Sequence, residues 1–357
     1  MTKNGVGEVV EMACEEHPRG FRLKQAYLLL TRQCNLSCSH CIRSSTPFNT
    51  EFMDYQLALH VIRELVTISE DSVLLISGGE PTLHRDFQSI VSFASEKFKQ
   101  VVINSNGLRL RPLREVAIFP TVSVQISIDG GKAEHDAIRG EGTFERTIRN
   151  INELAESGLS VTVATTVTNS NIESIHDLDS VLENIAFERW NIKRVVGSGR
   201  ANDADDISTG KWNEFVGCIK VSSKNKKRLR VSYMFSDESI RSAGSVEEST
   251  PSYSSNCGTG RSKFYINPNG TVYPCACMED RIVASFKEQN IREIVGVLSQ
   301  QEIEPHKSSV CRVCPAWQAC RGGCPGAAMR TFSPSLGDPR CPLASAGRED
   351  AGLLNVT

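Results

Sequence analysis

The sequence predicts an α/β protein: an open, partial (β/α)6 barrel of the TIM type, followed by a loop-rich, cysteine-dense carboxyl-terminal region. Three observations predict it. Six short apolar runs alternate with amphipathic stretches from residue 26 to about 200. The unusual residues of that stretch nearly all follow an apolar run, and chemistry in barrel folds sits at the carboxyl ends of the strands. Finally, the chain holds 13 cysteines, most of them grouped at two places.

The strand candidates are 26–31, 73–76, 101–104, 122–128, 161–167 and 192–196. Between them lie helical patterns at 55–68, 87–98, 113–119, 144–157 and 172–187. In the first, Leu59, Ile62, Leu65 and Val66 recur at helical spacing, with Asp54 as the cap. In the fourth, Thr143 is placed to cap the helix and Gly158 to stop it. Such alternation implies parallel strands joined by right-handed crossovers. Six units fall short of the eight that close a TIM barrel, so the barrel stays open. Periodicity also allows a doubly wound sheet; the placement of the unusual residues after strands favours the barrel.

A length of 357 residues allows one large or two moderate domains. The expected division is an amino-terminal segment (1–25), the barrel (26–200), a bridging region (201–255) and the cysteine-dense domain (256–357). A net charge of −2 gives no general pull toward nucleic acid or anionic membrane. No run reaches the roughly 18 apolar residues of a membrane span. The first 16 residues are polar and acidic, unlike a signal peptide. A cytoplasmic location follows, with no nucleic-acid or membrane partner. Disulfides are disfavoured there, so grouped cysteines point to metal or catalysis.

The first group, Cys34, Cys38 and Cys41, is spaced C-x3-C-x2-C directly after the first strand. A tight loop can fold three thiolates around one face of an iron–sulfur cluster. A 4Fe–4S cluster normally takes four cysteines, so three leave one iron open. The competing reading is a zinc site, which wants four closed ligands, with His40 as the fourth.

After the second strand comes Ser77-Gly78-Gly79-Glu80-Pro81. Paired glycines let backbone approach a ligand closely, and Glu80 can orient the loop. Asn106-Gly107 follows the third strand; Ser127-Ile128-Asp129-Gly130 ends the fourth, with a hydroxyl and a carboxylate suited to ribose. Arg139 comes soon after, and its guanidinium could pair with a carboxylate. Taken singly, each is an ordinary turn or ion pair.

Taken in order, these motifs resemble the radical S-adenosylmethionine (SAM) enzymes. The resemblance covers residues 26 to about 200. It implies that the open iron of the first cluster binds the amino and carboxylate groups of SAM. It further implies SAM contacts at Gly78, Gly79, Glu80, Pro81, Asn106, Ser127, Asp129 and Arg139. His40 stands where the commonest pattern has Tyr or Phe.

Residues 201–255 are the least informative. The basic run from Lys224 to Arg230 reads as a solvated connector, or as an anchor for an acidic peptide. From Cys257 the text changes. Pro268-Asn269-Gly270 between apolar runs signals a hairpin, and 290–298 reads as a helix. Cys257, Cys275, Cys311, Cys314, Cys320, Cys324 and Cys341 punctuate the rest. So loop-rich a region needs bound metal to hold it together. Zinc ribbons would explain it; but the spacing C-x12-G-x4-C, C-x2-C-x5-C-x3-C, then C resembles the SPASM extension of radical SAM peptide-modifying enzymes.

That resemblance implies two auxiliary 4Fe–4S clusters, three clusters in all. Cys257, Cys275 and Cys324 would bind the first auxiliary cluster; Cys311, Cys314, Cys320 and Cys341 the second. The first lacks a clear fourth ligand, and Cys277, water or substrate could fill the place. Cys14 and Cys218 belong to no motif. The implied function is oxidation or cross-linking of a residue within a ribosomal peptide, with an electron donor such as flavodoxin or ferredoxin. Ala276 stands where sulfatase maturases carry an Asp, which counts against sulfatase maturation. Only 33 residues precede Cys34, too few for a precursor-recognition domain, so leader recognition would need a separate protein or another surface. Two alternatives are a small-molecule radical SAM dehydrogenase and a non-catalytic zinc-binding module; the second leaves the Gly78–Pro81 and Ser127–Asp129 motifs unexplained.

Overall fold

The computed structural model describes residues 21–232 and 258–300, together with 311, 314, 322–329, 338 and 341. Six parallel strands stand where the apolar runs predict them: β1 (Gln25–Thr31), β2 (Val73–Gly78), β3 (Gln100–Ser105), β4 (Val122–Ser127), β5 (Ser160–Val167) and β6 (Arg189–Arg194). They lie side by side in chain order. Helices α1 (Tyr55–Ile68), α2 (Phe87–Lys97), α3 (Leu110–Glu115), α4 (Lys132–Arg139), α5 (Thr143–Glu156) and α6 (Ile175–Leu182) fill the crossovers.

Alternation along the strands decides which face is core. Val122, Val124 and Ile126 of β4 and Val161, Val163 and Val167 of β5 are buried against helix residues such as Ile62, Leu65, Ile90, Ile151 and Leu178. Each such side chain contributes about 1.5–3 kcal/mol when fully buried. The opposite, inner face is polar: Ser127, Gln125 and Thr162 are half-buried. Asp54 caps α1 as expected, accepting from the N–H groups of Gln56 and Leu57. Gly158 ends α5 with a φ of +84°, open to glycine at no steric penalty.

Other boundaries move for physical reasons. Helix α3 begins at Leu110, before Pro112, because proline is tolerated within a first turn. Thr143 lies inside α5 rather than capping it; the Asp136 carboxylate of α4 accepts from Gly142 and Phe144 N–H instead. Helix α6 is shorter than its pattern, with a 3-10 turn (Ile172–Ser174) in front.

The sheet also continues past β6. The bridging region contributes α7 (Thr209–Ser222) and β7 (Leu229–Ser232), which pairs parallel with β6. The basic run is therefore more than a connector. It leads into a strand, with Arg228 donating to the Leu182 and Ile185 carbonyls at the end of α6 and lying 3.8 Å over the Phe187 ring. On the other edge, β8 (Lys263–Ile266) pairs parallel with β1 and antiparallel with β9 (Thr271–Tyr273), which is followed by β10 (Ala284–Ser285). The β8–β9 turn is the predicted Asn269-Gly270, with Gly270 at φ +89°. Helix α8 (Ile291–Gln300) is capped by Asn290, and a short α9 (Pro325–Met329) follows Cys324. No helix among the described residues is long and apolar enough to cross a membrane.

Candidate active site

The three cysteines of the first motif lie on the loop after β1; Cys34 and Cys38 are buried and Cys41 half-buried. Local hydrogen bonds coil the loop: Cys41 N–H donates to the Cys38 carbonyl at 3.2 Å and Ser44 N–H to the Cys41 carbonyl at 3.1 Å. Backbone from the end of β2 presses against it. Gly79 N–H donates to the Thr31 carbonyl and Glu80 N–H to the Gln33 carbonyl, both at 2.8 Å. A Cβ on Gly79 would stand 2.2 Å from the Gln33 oxygen, and one on Gly78 2.4 Å from the Thr31 oxygen. The glycine pair thus permits close approach to the cysteine loop itself.

Glu80 faces inward and is fully buried. Its carboxylate accepts from Thr82 N–H and Oγ1, Ser105 Oγ and Asn106 N–H, tying β2 to β3. Burial pushes its pKa up while these bonds pull the other way. Pro81 opens the short 3-10 turn that follows. Asn106 reaches back to the loop, donating to Asn35 Oδ1 at 2.8 Å, with its Nδ2 3.8 Å from Cys34 Sγ.

Asp129 is the hub of the fourth strand end, and it too is fully buried. It accepts from His40 Nε2 at 2.8 Å, from Arg139 at 2.6 Å and from Thr166 N–H at 2.7 Å. Burial opposes its ionisation, but the Arg139 charge and His40 hold its carboxyl well below the usual range. The ion pair raises Arg139 above its ordinary pKa against the penalty of burial. Arg139 Nη1 also lies 3.9 Å from Cys38 Sγ. The expected ribose ligand is therefore engaged by the protein, whereas Ser127 stays half-buried on the inner face. His40, the candidate fourth zinc ligand, has its Nε2 committed to Asp129.

Burial pushes the Cys34 thiol up to about 12 and raises Cys38, with Arg139 opposing. Buried thiols of this kind lose their protons to a metal. The donor set fits a cluster: three sulfurs on one loop, with a guanidinium and an amide within 4 Å of two of them. Among the described residues, no three of His, Cys, Asp and Glu converge tightly enough to enclose a single ion.

Several residues that hold this loop escaped the sequence reading. Arg200, just past β6, donates from Nε to the Cys38 carbonyl at 2.8 Å and from Nη1 to the Ser45 carbonyl at 2.9 Å. Its backbone N–H donates to the Cys41 carbonyl at 3.0 Å. Gly199 packs against the same turn, at φ +69°, where a Cβ would meet the Cys41 oxygen at 2.3 Å. The available signal was Gly197-Ser198-Gly199-Arg200 directly after a strand, the position of every other motif. Arg43 links the loop to the carboxyl-terminal region: its guanidinium lies over the Tyr265 and Tyr273 rings, at 5.0 and 5.3 Å, and bonds Tyr273 Oη. Glu279 pairs with both Arg43 and Arg32.

In the second cysteine group, Cys275, Cys277 and Cys324 are buried, while Cys311, Cys314 and Cys341 are half-buried. Cys257 and Cys320 lie outside the described residues. A hydrogen bond from Cys277 draws the Cys275 thiol down to about 6, against the penalty of burial. Gly326 abuts both, its absent Cβ 3.3 Å from Cys277 Sγ and 3.8 Å from Cys275 Sγ. Asp338, also unanticipated, accepts from Cys324 N–H at 2.9 Å while its carbonyl accepts from Cys341 N–H at 3.0 Å. It joins a cysteine of one expected cluster to a cysteine of the other.

Comparison with known proteins agrees with these two regions. Residues 28–184 match the radical SAM superfamily, and residues 257–316 match SPASM, an iron–sulfur cluster-binding domain. The chain is 30% identical over 324 residues to the mycofactocin maturase MftC of Mycolicibacterium smegmatis, covering 87% of this chain and 81% of that one. It is 31% identical over 272 residues to the sporulation killing factor maturation protein SkfB of Bacillus subtilis, covering 75% and 63%. Among solved structures, Streptococcus suis SuiB bound to its precursor peptide SuiA superposes with a TM-score of 0.72 at 17% identity, covering 88% and 74%.

Proposed function

The chain belongs to the radical SAM superfamily with a SPASM cluster-binding domain, and from this we propose that it is an enzyme that oxidises or cross-links a residue of a ribosomally made peptide. The observation that carries the proposal is the convergence of four strand ends on one three-cysteine loop. When bound, SAM and the reduced cluster supply one-electron cleavage of the sulfonium to methionine and a 5′-deoxyadenosyl radical that takes hydrogen from an unactivated C–H bond.

The chain supplies position and shielding. Cys34, Cys38 and Cys41 hold the first cluster, leaving an iron for SAM. Backbone of Gly78, Gly79, Glu80 and Pro81 is assigned to the SAM amino group, Asn106 and Ser127 to its methionyl and ribose parts, and Arg139 to its carboxylate. Glu80 and Asp129 act from behind: the first fixes the β2 and β3 ends, the second aims Arg139 and His40. Cys257, Cys275 and Cys324 are assigned to one auxiliary cluster and Cys311, Cys314, Cys320 and Cys341 to another, three clusters in all. Cys277, buried beside Cys275, is suited to complete the first set. Residues 26–200 and 256–357 are the corresponding functional units.

The peptide substrate is supported by relatives named as maturases, and by a structural neighbour solved with its precursor peptide. A separate leader-binding protein, a flavodoxin or ferredoxin donor and a cytoplasmic location complete the proposal. The test is anaerobic reconstitution followed by dithionite and SAM, measuring iron, sulfide, zinc and 5′-deoxyadenosine together. About twelve irons per chain with deoxyadenosine formed is the expected outcome. Zinc without deoxyadenosine would overturn it. Replacing Cys34, Cys38 and Cys41 together by Ala should abolish SAM cleavage and spare the remaining iron.

A further inference from the structure

None of the ten strands among the described residues contains an Asp or Glu. Their inner face nevertheless carries four cations. Trp190 and Ile192 of β6 join the outer core, as do Leu229 of β7 and Phe264 of β8. Alternation therefore turns Arg189, Lys193, Arg230 and Lys263 inward. The acids at the rim are engaged: Asp129 by Arg139 and His40, Glu80 by Ser105 and Thr82, Glu279 by Arg32 and Arg43.

Lys193 stands apart among these four by its place near the carboxyl end of its strand, whereas Arg189 and Lys263 open theirs. It is exposed within the inner face, and no carboxylate of the described residues pairs with it. It lies beside Thr166 in the β5–β6 register, and the Thr166 N–H holds Asp129. Its ammonium therefore projects at the cofactor end of the barrel, two strands from the Asp129–Arg139 pair. Loss of hydration inside the barrel and, after it, the charge of Lys263 lower its pKa; the charge of a bound anion would offset both. By contrast, Arg230 donates to the Lys227 and Leu229 carbonyls. Deeper on the same face runs a chain of neutral amides. Asn191 Nδ2 donates to Gln125 Oε1 at 3.2 Å, and Gln125 Nε2 to Asn104 Oδ1 at 3.0 Å. Such a row suits peptide groups, which are themselves neutral donors and acceptors.

We infer that the barrel binds its substrate by a carboxylate held on Lys193, with the amide row beneath it receiving peptide backbone. This rests on the peptide reading above, since the anions of an unmodified peptide are carboxylates. An ammonium on a flexible stem accepts either an Asp or Glu side chain or a free carboxyl terminus. SAM carries a carboxylate too, but Arg139 is already assigned to it.

The test uses the anaerobically reconstituted holoenzyme with SAM and three random hexapeptide mixtures, with retained peptides read by mass spectrometry. One mixture has free carboxyl termini and no Asp or Glu, one is amidated with Asp and Glu, and one is amidated without them. The first or the second should be retained about tenfold over the third, the yield of one hydrogen bond to a charged group; which of the two identifies the carboxylate. Lys193→Met should erase that preference and Lys193→Arg restore most of it, with melting curves confirming that both fold. Equal retention of all three mixtures, or a preference that survives Lys193→Met, would overturn the inference and leave the peptide reading standing. So would a Lys193→Met variant that binds SAM tenfold more weakly but keeps the preference. Retention of no peptide at all would overturn both.

Discussion

Arg200→Met tests whether the cysteine loop is held from outside the motifs that named it. The substitution removes two side-chain hydrogen bonds, to the Cys38 and Ser45 carbonyls at 2.8 and 2.9 Å, and spares the backbone bond to Cys41. A hydrogen bond to a charged group is worth about 1.5–3 kcal/mol. Arg200 is half-buried, and the freed carbonyls regain some hydration, so the low end applies: about 3 kcal/mol for the pair. At about 1.4 kcal/mol per tenfold, the ordered loop loses roughly a hundredfold in population relative to opened forms. The assay is iron release to a chelator from anaerobically reconstituted protein, followed alongside deoxyadenosine formation. About a third of the iron should leave much faster in Arg200→Met, with SAM cleavage falling in step. Arg200→Lys should lie between, because one ammonium cannot match the fork that reaches both carbonyls. Release kinetics equal to the parent in Arg200→Met would refute the clamp.

Gly79→Ala should abolish SAM cleavage in a protein that still folds, since its Cβ would overlap the Gln33 carbonyl at 2.2 Å with only backbone to yield; normal cleavage would mean that the β2 and cysteine loops separate freely. Buried His135 accepts from Asp129 N–H at 3.1 Å, and burial lowers its pKa to about 4. The unfolded chain binds the proton first, so stability is complete above an ordinary histidine pKa of about 6.5 and is lost as pH falls toward 4, by about 3 kcal/mol. His135→Asn keeps an acceptor and should flatten the melting temperature across that window; an unchanged pH slope would place the titration elsewhere. Asp338→Ala should release auxiliary iron while sparing the first site, and Asp338→Asn should recover part of it. Unchanged iron in Asp338→Ala would remove the residue from the support of those sites.

Much of this was legible because the signals are local. A strand followed by C-x3-C-x2-C, or by Gly-Gly-Glu-Pro, carries its meaning within a dozen residues, and Asp54 announces the start of α1 from the position just before it. The rest depends on where distant strands end. Arg200 lies 162 residues from Cys38, its partner, and no spacing rule links them. Asp129 read as a ribose ligand because a carboxylate at a strand end looks open in sequence; only the fold shows His40, Arg139 and Thr166 closing around it. Strand β7 was missed because Leu229-Arg230-Val231-Ser232 follows so many charges that its alternation was submerged. Arg228, the most telling of those charges, caps a helix whose end the pattern put too late.

The pairing of β8 with β1 bears on how such proteins could be divided or recombined. Cut in sequence, the barrel and the cysteine-dense region look like exchangeable cassettes. In space, β8 is the neighbour that covers β1 along Gln25–Leu28, and Tyr27 stacks on Tyr265 at 4.1 Å across that line. A barrel expressed alone would present Ala26-Tyr27-Leu28-Leu29-Leu30 as a bare edge, an invitation to intermolecular strand addition. A chimera that imports a foreign carboxyl-terminal domain would have to import a compatible strand register with it.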